Sequence, residues 1–204
     1  MADRRERKRA ETRAALLDSA LALVRQRGVY GTRVEDITER ADVGKGVFYN
    51  YFDSKDAVVA ALLSDGVDML QRDYLAPALA REPGDRAVRV ANIVRAHEQF
   101  FGDHPEYSLL FHQARGVLQL GQGGVEQLRA VFVRYLRYLA EALDPSATGA
   151  PEPDARSMDA AAVVAGTISG YRSFCVAAGR QDQSSSLIAT LSGGVPSLLG
   201  SSGR

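Results

Sequence analysis

The sequence predicts an all-α protein: a three-helix helix-turn-helix at the N-terminus, then a larger set of helices. Three observations predict it. Apolar residues recur at i, i+3, i+4 and i+7 along most of the chain. Val, Ile, Tyr and Phe occur throughout, yet nowhere in sustained strand alternation with hairpin signals. And "DVGKGVFYNYFDSKD", residues 42 to 56, sets two glycines and four aromatics beside a tight turn between two short amphipathic segments.

The elements follow in order. Leu17, Ala20, Leu21 and Val24 form one face of a first helix, which Gly28 stops by tolerating a left-handed turn. In "TRVE", Thr32 and Glu35 have the spacing of a capping box. Val34, Ile37 and Ala41 make the buried stripe of a short second helix, "VGKG" is a tight turn, and a third short helix carries Val47 to Phe52. Asp53 or Ser54 can cap a long fourth helix from about Lys55 to Leu75, and Pro77 discourages its continuation.

"REPGDR" reads as a loop before a helix over 86–101. "GDHPEY" breaks that helix, and Pro105 suits the first turn of the next, which reaches about Leu120. After "GQGG", the spacing of Leu128, Val131, Phe132, Tyr135, Leu139 and Ala142 predicts another amphipathic helix. "DPSATGAPEPD" is linker-like, and two apolar segments follow over 155–178 and 185–199.

A chain of 204 residues holds one or two domains, and its 46% hydrophobic and 25% charged content is that of an ordinary globular protein. The net charge is zero, so no global field advertises a polyanion. The first fourteen residues differ. Arg4, Arg5, Arg7, Lys8, Arg9 and Arg13 against Asp3, Glu6 and Glu11 leave +3 on a short arm. That arm is either a set of contacts to a nucleic-acid groove or phosphates, or a solvated tail. The single cysteine, Cys175, excludes an internal disulfide and fits a reducing compartment. No apolar stretch follows the leading basic residues, and the run "AAAVVAGTI" falls short of the roughly 20 residues of a membrane span. The expected location is cytoplasmic, without membrane partners.

The third helix, taken as a cylinder, places Phe48 and Phe52 on one face, where they complete a mini-core with Leu21, Val24 and Ile37. Lys45, Gly46, Tyr49 and Asn50 fall largely on the other face. That face has the inventory for a nucleic-acid groove. Lys45 supplies positive charge near free backbone N–H groups, and Gly46 lets the backbone come close. Val47 suits a thymine methyl and Asn50 an adenine edge. The hydroxyls of Tyr49 and Tyr51 can reach phosphates, and Lys55 can clamp the same backbone. Half-buried tyrosines on capped surface helices are the alternative that spacing leaves open.

The stretch "TRAALLDSALALVRQRGVYGTRVEDITERADVGKGVFYNYFDSKDAVVAALL", about residues 12 to 63, closely resembles the DNA-binding domain of TetR-family transcriptional regulators. The match runs through Gly28, Tyr30-Gly31-Thr32, Ile37, Ala41, Val43, Lys45-Gly46, Phe48-Tyr49, Tyr51-Phe52 and Ser54-Lys55. The resemblance implies a homodimer whose third helix lies in the major groove of double-stranded DNA. By it, Thr32, Lys45, Tyr49, Tyr51 and Lys55 match phosphate-contacting positions, and Arg33, Gly46, Val47 and Asn50 match base-facing ones. Gly44, Val47, Tyr51 and Asp42 depart from the family's usual residues, which bears on the operator sequence.

No enzyme motif appears after about residue 64, and neither catalytic groups, cofactor nor metal is expected. His97, His104 and His112 lack ligand spacing, and Cys175 lacks a paired base. Aromatic and polar residues within the apolar helices suit a pocket with a few polar anchors, or plain core packing. The resemblance implies an effector cavity, and Tyr107, Phe111, His112, Arg115, Tyr171 and Phe174 are the candidate ligand-binding residues. Small residues in "AAAVVAGTISGYRSFCVAAG" allow close helix approach, and the family's dimer interface maps to about 155–199.

The expected division is therefore 1–54 for the arm and DNA-binding domain and 55–204 for the regulatory domain, with the effector pocket within about 64–178. The expected function is a repressor that binds a palindromic operator as a dimer and is released by a small, partly apolar effector. The rivals are an architectural or protein-partner-controlled DNA binder, and a helical enzyme with an unusual site.

Overall fold

In the computed structural model, the described residues are 2–81, 84–120, 125–144, 153–179, 187, 188 and 191. Among them every regular element is a helix: α1 (Ala2–Arg27), α2 (Val34–Arg40), α3 (Lys45–Tyr49), α4 (Lys55–Met69), a π-helical turn (Leu70–Leu75), α5 (Ala76–Arg81), α6 (Arg86–Asp103), α7 (Pro105–Leu120), α8 (Val125–Leu143) and α9 (Ala155–Ala177). The expected all-α class holds, and the predicted ends of α6, α7 and α9 fall within two residues of those observed. "GQGG", most of "DPSATGAPEPD" and the tail lie outside the described residues. So does most of 185–199, of which Leu187 and Leu191 are buried.

Three expectations need correction. The basic arm is helical: α1 starts at Ala2, well before the apolar stripe, because Arg, Glu, Lys and Ala are strong helix formers. Arg7 and Glu11 support it as an i,i+4 pair at 3.5 Å. Pro77 does not end the fourth helix. The π turn before it shifts bonding to the fifth preceding carbonyl, as Ala76 N–H to Gln71 O records, and Pro77 falls in the first turn of α5, where its missing N–H costs little. Finally, α9 is long and apolar enough, by length and composition only, to cross a membrane. Among the described residues it packs against α6 instead: Ala161, Val164 and Ile168 are buried, and Arg172 Nη2 donates to Phe101 O at 3.0 Å.

The chain folds as two compact units. The first joins the chain up to Gly66 with His104–Val131; the second joins Val67–Asp103 with the chain from Phe132 onward. These units cut the chain elsewhere than the expected 54/55 boundary, because α7 returns to pack on α1. Leu16, Val24, Ile37, Phe48, Leu63, Leu110 and Ala114 are buried in the first unit at 1% exposure or less. Phe48 and Phe52 stack at 5.8 Å between ring centroids, as their four-residue spacing requires. Leu21 of the expected mini-core is only half-buried.

In the second unit, His97 settles one question the sequence raises. It is 1% exposed, with Nδ1 2.7 Å from Ile93 O and Nε2 2.8 Å from the Tyr135 hydroxyl. A carbonyl can only accept, so Nδ1 carries the proton and Nε2 accepts from Tyr135. Burial pushes the imidazole pKa down to about 4, partly opposed by the Ile93 bond. His97 is a satisfied core residue. Among the described residues no group of three or more His, Cys, Asp or Glu side chains could hold a metal.

Candidate nucleic-acid interface

The interface is built on α3. Its inner side is anchored by Phe48, fully buried, with Tyr49 edge-on at 5.3 Å and 84°. The anchor turns Gly44, Lys45, Gly46, Tyr49 and Asn50 outward, all exposed, while Val47 and Tyr51 are half-buried. A Cβ added at Gly44 or Gly46 would meet nothing within 4 Å. Packing within the fold therefore does not require glycine at 46.

The turn before α3 is held by Asp42 at φ 53°, the described non-glycine residue with positive φ, a region Asp tolerates better than most. Val43 N–H donates to Thr38 O at 3.0 Å and closes the turn. Gly44 is the N-cap of α3 and offers no side-chain cap. The first N–H groups of the helix, beside Lys45, thus have no side-chain cap.

The cations are less free than the sequence suggests. Lys45 Nζ lies 2.5 Å from Glu35 Oε1, with both side chains more than half exposed. Their hydrogen bond, then their mutual attraction, raises the Lys45 pKa and lowers that of Glu35. Water screens so exposed a pair, so it is a competitor for Lys45 rather than a strong tie. Lys55 Nζ, expected on a phosphate, donates to Val29 O at 3.0 Å and joins the start of α4 to the turn after α1. Thr32, also expected on a phosphate, is 2% exposed and spends its hydroxyl on Gly28 O at 2.8 Å.

Nor is Thr32 the cap of α2. That position belongs to Arg33, whose backbone N–H donates to Asp36 Oδ2 at 3.2 Å, so the expected capping pair of Thr32 and Glu35 moves on by one residue. Arg27 meets the same carboxylate at 3.2 Å, and the Arg33 side chain remains exposed.

Gln113 is the residue sequence reasoning missed. From α7 its Oε1 accepts the Val29 N–H at 2.6 Å. Gly28, at φ 74°, makes room: a Cβ there would stand 2.8 Å from the Gln113 amide oxygen. One turn on, the Tyr30 hydroxyl occupies the place a Cβ at Gly116 would take. Pairs separated by 84 residues leave no periodic signal.

The candidate ligand residues divide between the units. Tyr107, Phe111, His112 and Arg115 lie on α7; Tyr171 and Phe174 lie on α9. Tyr107 and Phe111 are buried, Tyr107 packing its ring against Gly66. Burial, then the charges of Asp65, Glu106 and Asp18, pushes the Tyr107 hydroxyl up to about 12. His112 is exposed, and Arg115 and Tyr171 are half-buried. Phe174 is 78% exposed and Val176 74%. Phe174 is thus an outward ring in the single chain rather than part of an enclosed wall.

Comparisons with known proteins agree on one kind of relative. Residues 16–62 match the family described as bacterial regulatory proteins, tetR family. The HTH-type transcriptional regulator RutR of Escherichia coli is 34% identical over 109 residues, 53% of this chain and 50% of that protein. The HTH-type transcriptional repressor KstR2 of Rhodococcus jostii is 33% identical over 92 residues, 45% of each. The chain thus spans about half the length of the curated relatives it matches. In three dimensions it resembles the transcriptional regulator FadR of Bacillus subtilis, solved in complex with stearoyl-CoA, at a TM-score of 0.63 and 19% identity, over 94% of this chain and 99% of that one.

Proposed function

We propose that this chain, a member of the TetR family of bacterial regulatory proteins by its residues 16–62, is a cytoplasmic, ligand-released repressor that binds a palindromic operator as a homodimer. The observation that carries this reading is the outward face of α3: Lys45, Gly46, Tyr49 and Asn50 stand over a sequestered Phe48, and Gly46 has no packing reason to be glycine. Lys45, Tyr49 and Tyr51 serve phosphates; Arg33, Gly46, Val47 and Asn50 face bases. Thr32 and Lys55 hold the domain in shape, through the Gly28 and Val29 carbonyls.

Two recognition helices one duplex turn apart, about 34 Å, require two copies of the chain. The small-residue α9 and the segment 185–199 supply the pairing surface in this reading, and exposed Phe174 and Val176 suit burial by a second copy. The effector is small and partly apolar, held within residues 64–178. FadR, solved with stearoyl-CoA, supports that choice by likeness, and the repressor KstR2 supports repression. Release requires the effector to favour one state of the protein, and its effect is limited by that difference in affinity.

Footprinting the purified protein on the DNA flanking its own coding region tests the reading. A protected palindrome with half-sites one turn apart supports it. A folded Lys45→Ala/Tyr49→Ala protein that binds duplex as tightly as the original refutes it. For release, a series of acyl-CoA esters titrated into the protein–operator complex should lower operator affinity for at least one chain length. An ester that binds the protein and leaves operator affinity untouched refutes the coupling.

A further inference from the structure

We infer that the leading turns of α1 are a rigid second DNA-binding element, in which Arg5 and Arg9, flanked by Lys8 and Arg13, grip the phosphate backbone beside the recognition helix. The inference rests on the DNA-binding reading above and extends it to residues outside the matched segment 16–62.

The geometry is that of one helix face. At about 100° per residue, positions 5, 8, 9, 12 and 13 share an arc of about 140°. Arg5, Lys8, Arg9, Thr12 and Arg13 occupy it. Leu16, Ala20 and Leu23, all buried, continue the same arc further along α1. The stripe that packs into the helix-turn-helix core therefore turns from apolar to cationic as it leaves that core. A solvated tail has no reason to keep its bases in that register. The acids Glu6 and Glu11 fall off this arc, and Glu11 pairs with Arg7, itself on the far side.

Two contacts fix where the face points. The Arg9 guanidinium lies 5.9 Å from the Tyr51 ring centroid, and the Arg13 guanidinium 5.5 Å from that of Phe52. Tyr51 and Phe52 follow the C-cap of α3, Asn50, so the cationic face stands at the exit of the recognition helix. A ring contact of this kind leaves guanidinium N–H groups at its rim to donate to phosphate. Because α1 is unbroken from Ala2, Arg5 is carried one turn beyond Arg9 as on a rod. A helix of this width does not enter a minor groove about 6 Å wide, so the contacts made are to phosphate oxygens.

The test uses the full chain and a mixed-sequence duplex three helical turns long, with affinity read across a salt series. Arg5→Gln/Arg9→Gln removes two charges from the face. Arg4→Gln/Arg7→Gln removes two from the same arm but off the face. All four side chains are exposed, and far-UV circular dichroism confirms that each variant keeps its helices. Each phosphate contact contributes about 0.9 to the slope of log affinity against log salt. The first pair should lower the slope by about 2 for each protomer bound and weaken low-salt binding at least tenfold, while the second leaves the slope within about 0.5 of the original. Equal losses in both pairs would mean undirected charge, and no loss in either would mean a solvated tail; each overturns the inference. Failure of the original protein to bind any duplex would instead sink the DNA-binding reading itself.

Discussion

Val29 donates its backbone N–H to Gln113 Oε1 at 2.6 Å, across 84 residues of sequence. The same residue's carbonyl accepts from Lys55 at 3.0 Å. One residue in the turn before α2 is thus gripped by α7 and by the start of α4. Breaking the first grip leaves a part-buried N–H without an acceptor, which costs about 1–3 kcal/mol. Gln113→Ala should lose that much stability in urea denaturation. Gln113→Glu, which keeps an acceptor oxygen, should lose much less. Equal losses would mean that side-chain bulk, not the hydrogen bond, matters.

Gly46 separates fold from function. A Cβ there meets nothing within 4 Å, and alanine is the better helix former by up to about 1 kcal/mol. Gly46→Ala should therefore keep or raise the melting temperature while weakening operator binding at least tenfold. Unchanged operator affinity would remove the steric role assigned to this position.

Glu35 competes with DNA for Lys45. Glu35→Gln removes the carboxylate that engages the ammonium and one negative charge near the phosphates. Duplex affinity should rise severalfold at low salt, and the salt slope should steepen by up to about 1 for each protomer bound. Stability should barely change, since the pair is exposed. Weaker binding would mean that the pair orients Lys45 rather than occupying it.

His97 ties stability to pH. Its folded pKa, about 4, lies below the ordinary imidazole value of about 6.5, so protons bind the unfolded chain first. The stabilisation is fully present above about pH 6.5 and is lost as pH falls through 4, by about 3 kcal/mol in all. His97→Gln should be less stable at neutral pH but should lack this dependence between pH 6.5 and 4. Denaturation at several pH values measures it, and an unchanged slope in the variant would assign the dependence to other groups.

The helical class, most helix ends and the outward face of α3 were legible because they depend on local chemistry. Apolar spacing at 3.6 residues marks which face must be buried, and proline and glycine mark breaks. The errors lie where two local rules compete or where a partner comes from elsewhere. Pro77 reads as a stop, but the π turn before it re-routes the bonding. Thr32 reads as the cap of α2, but Arg33 takes that position and the buried Thr32 hydroxyl donates to the Gly28 carbonyl. Lys55 reads as a clamp on DNA, and the fold adds a bond to the Val29 carbonyl that spacing does not show.

What the sequence by itself determined is the set of helices and the α3 side chains that face outward, since both follow from periodicity along one strand of chain. Tertiary structure alone decided which polar groups remain available. Gln113 reaches Val29, Arg9 lies over Tyr51, and Glu35 engages Lys45 only because folding brings distant residues within hydrogen-bond or ring distance. The physical reason is that a hydrogen bond or ion pair is decided over a few ångströms of space, and sequence spacing encodes that distance only within a helix turn or two.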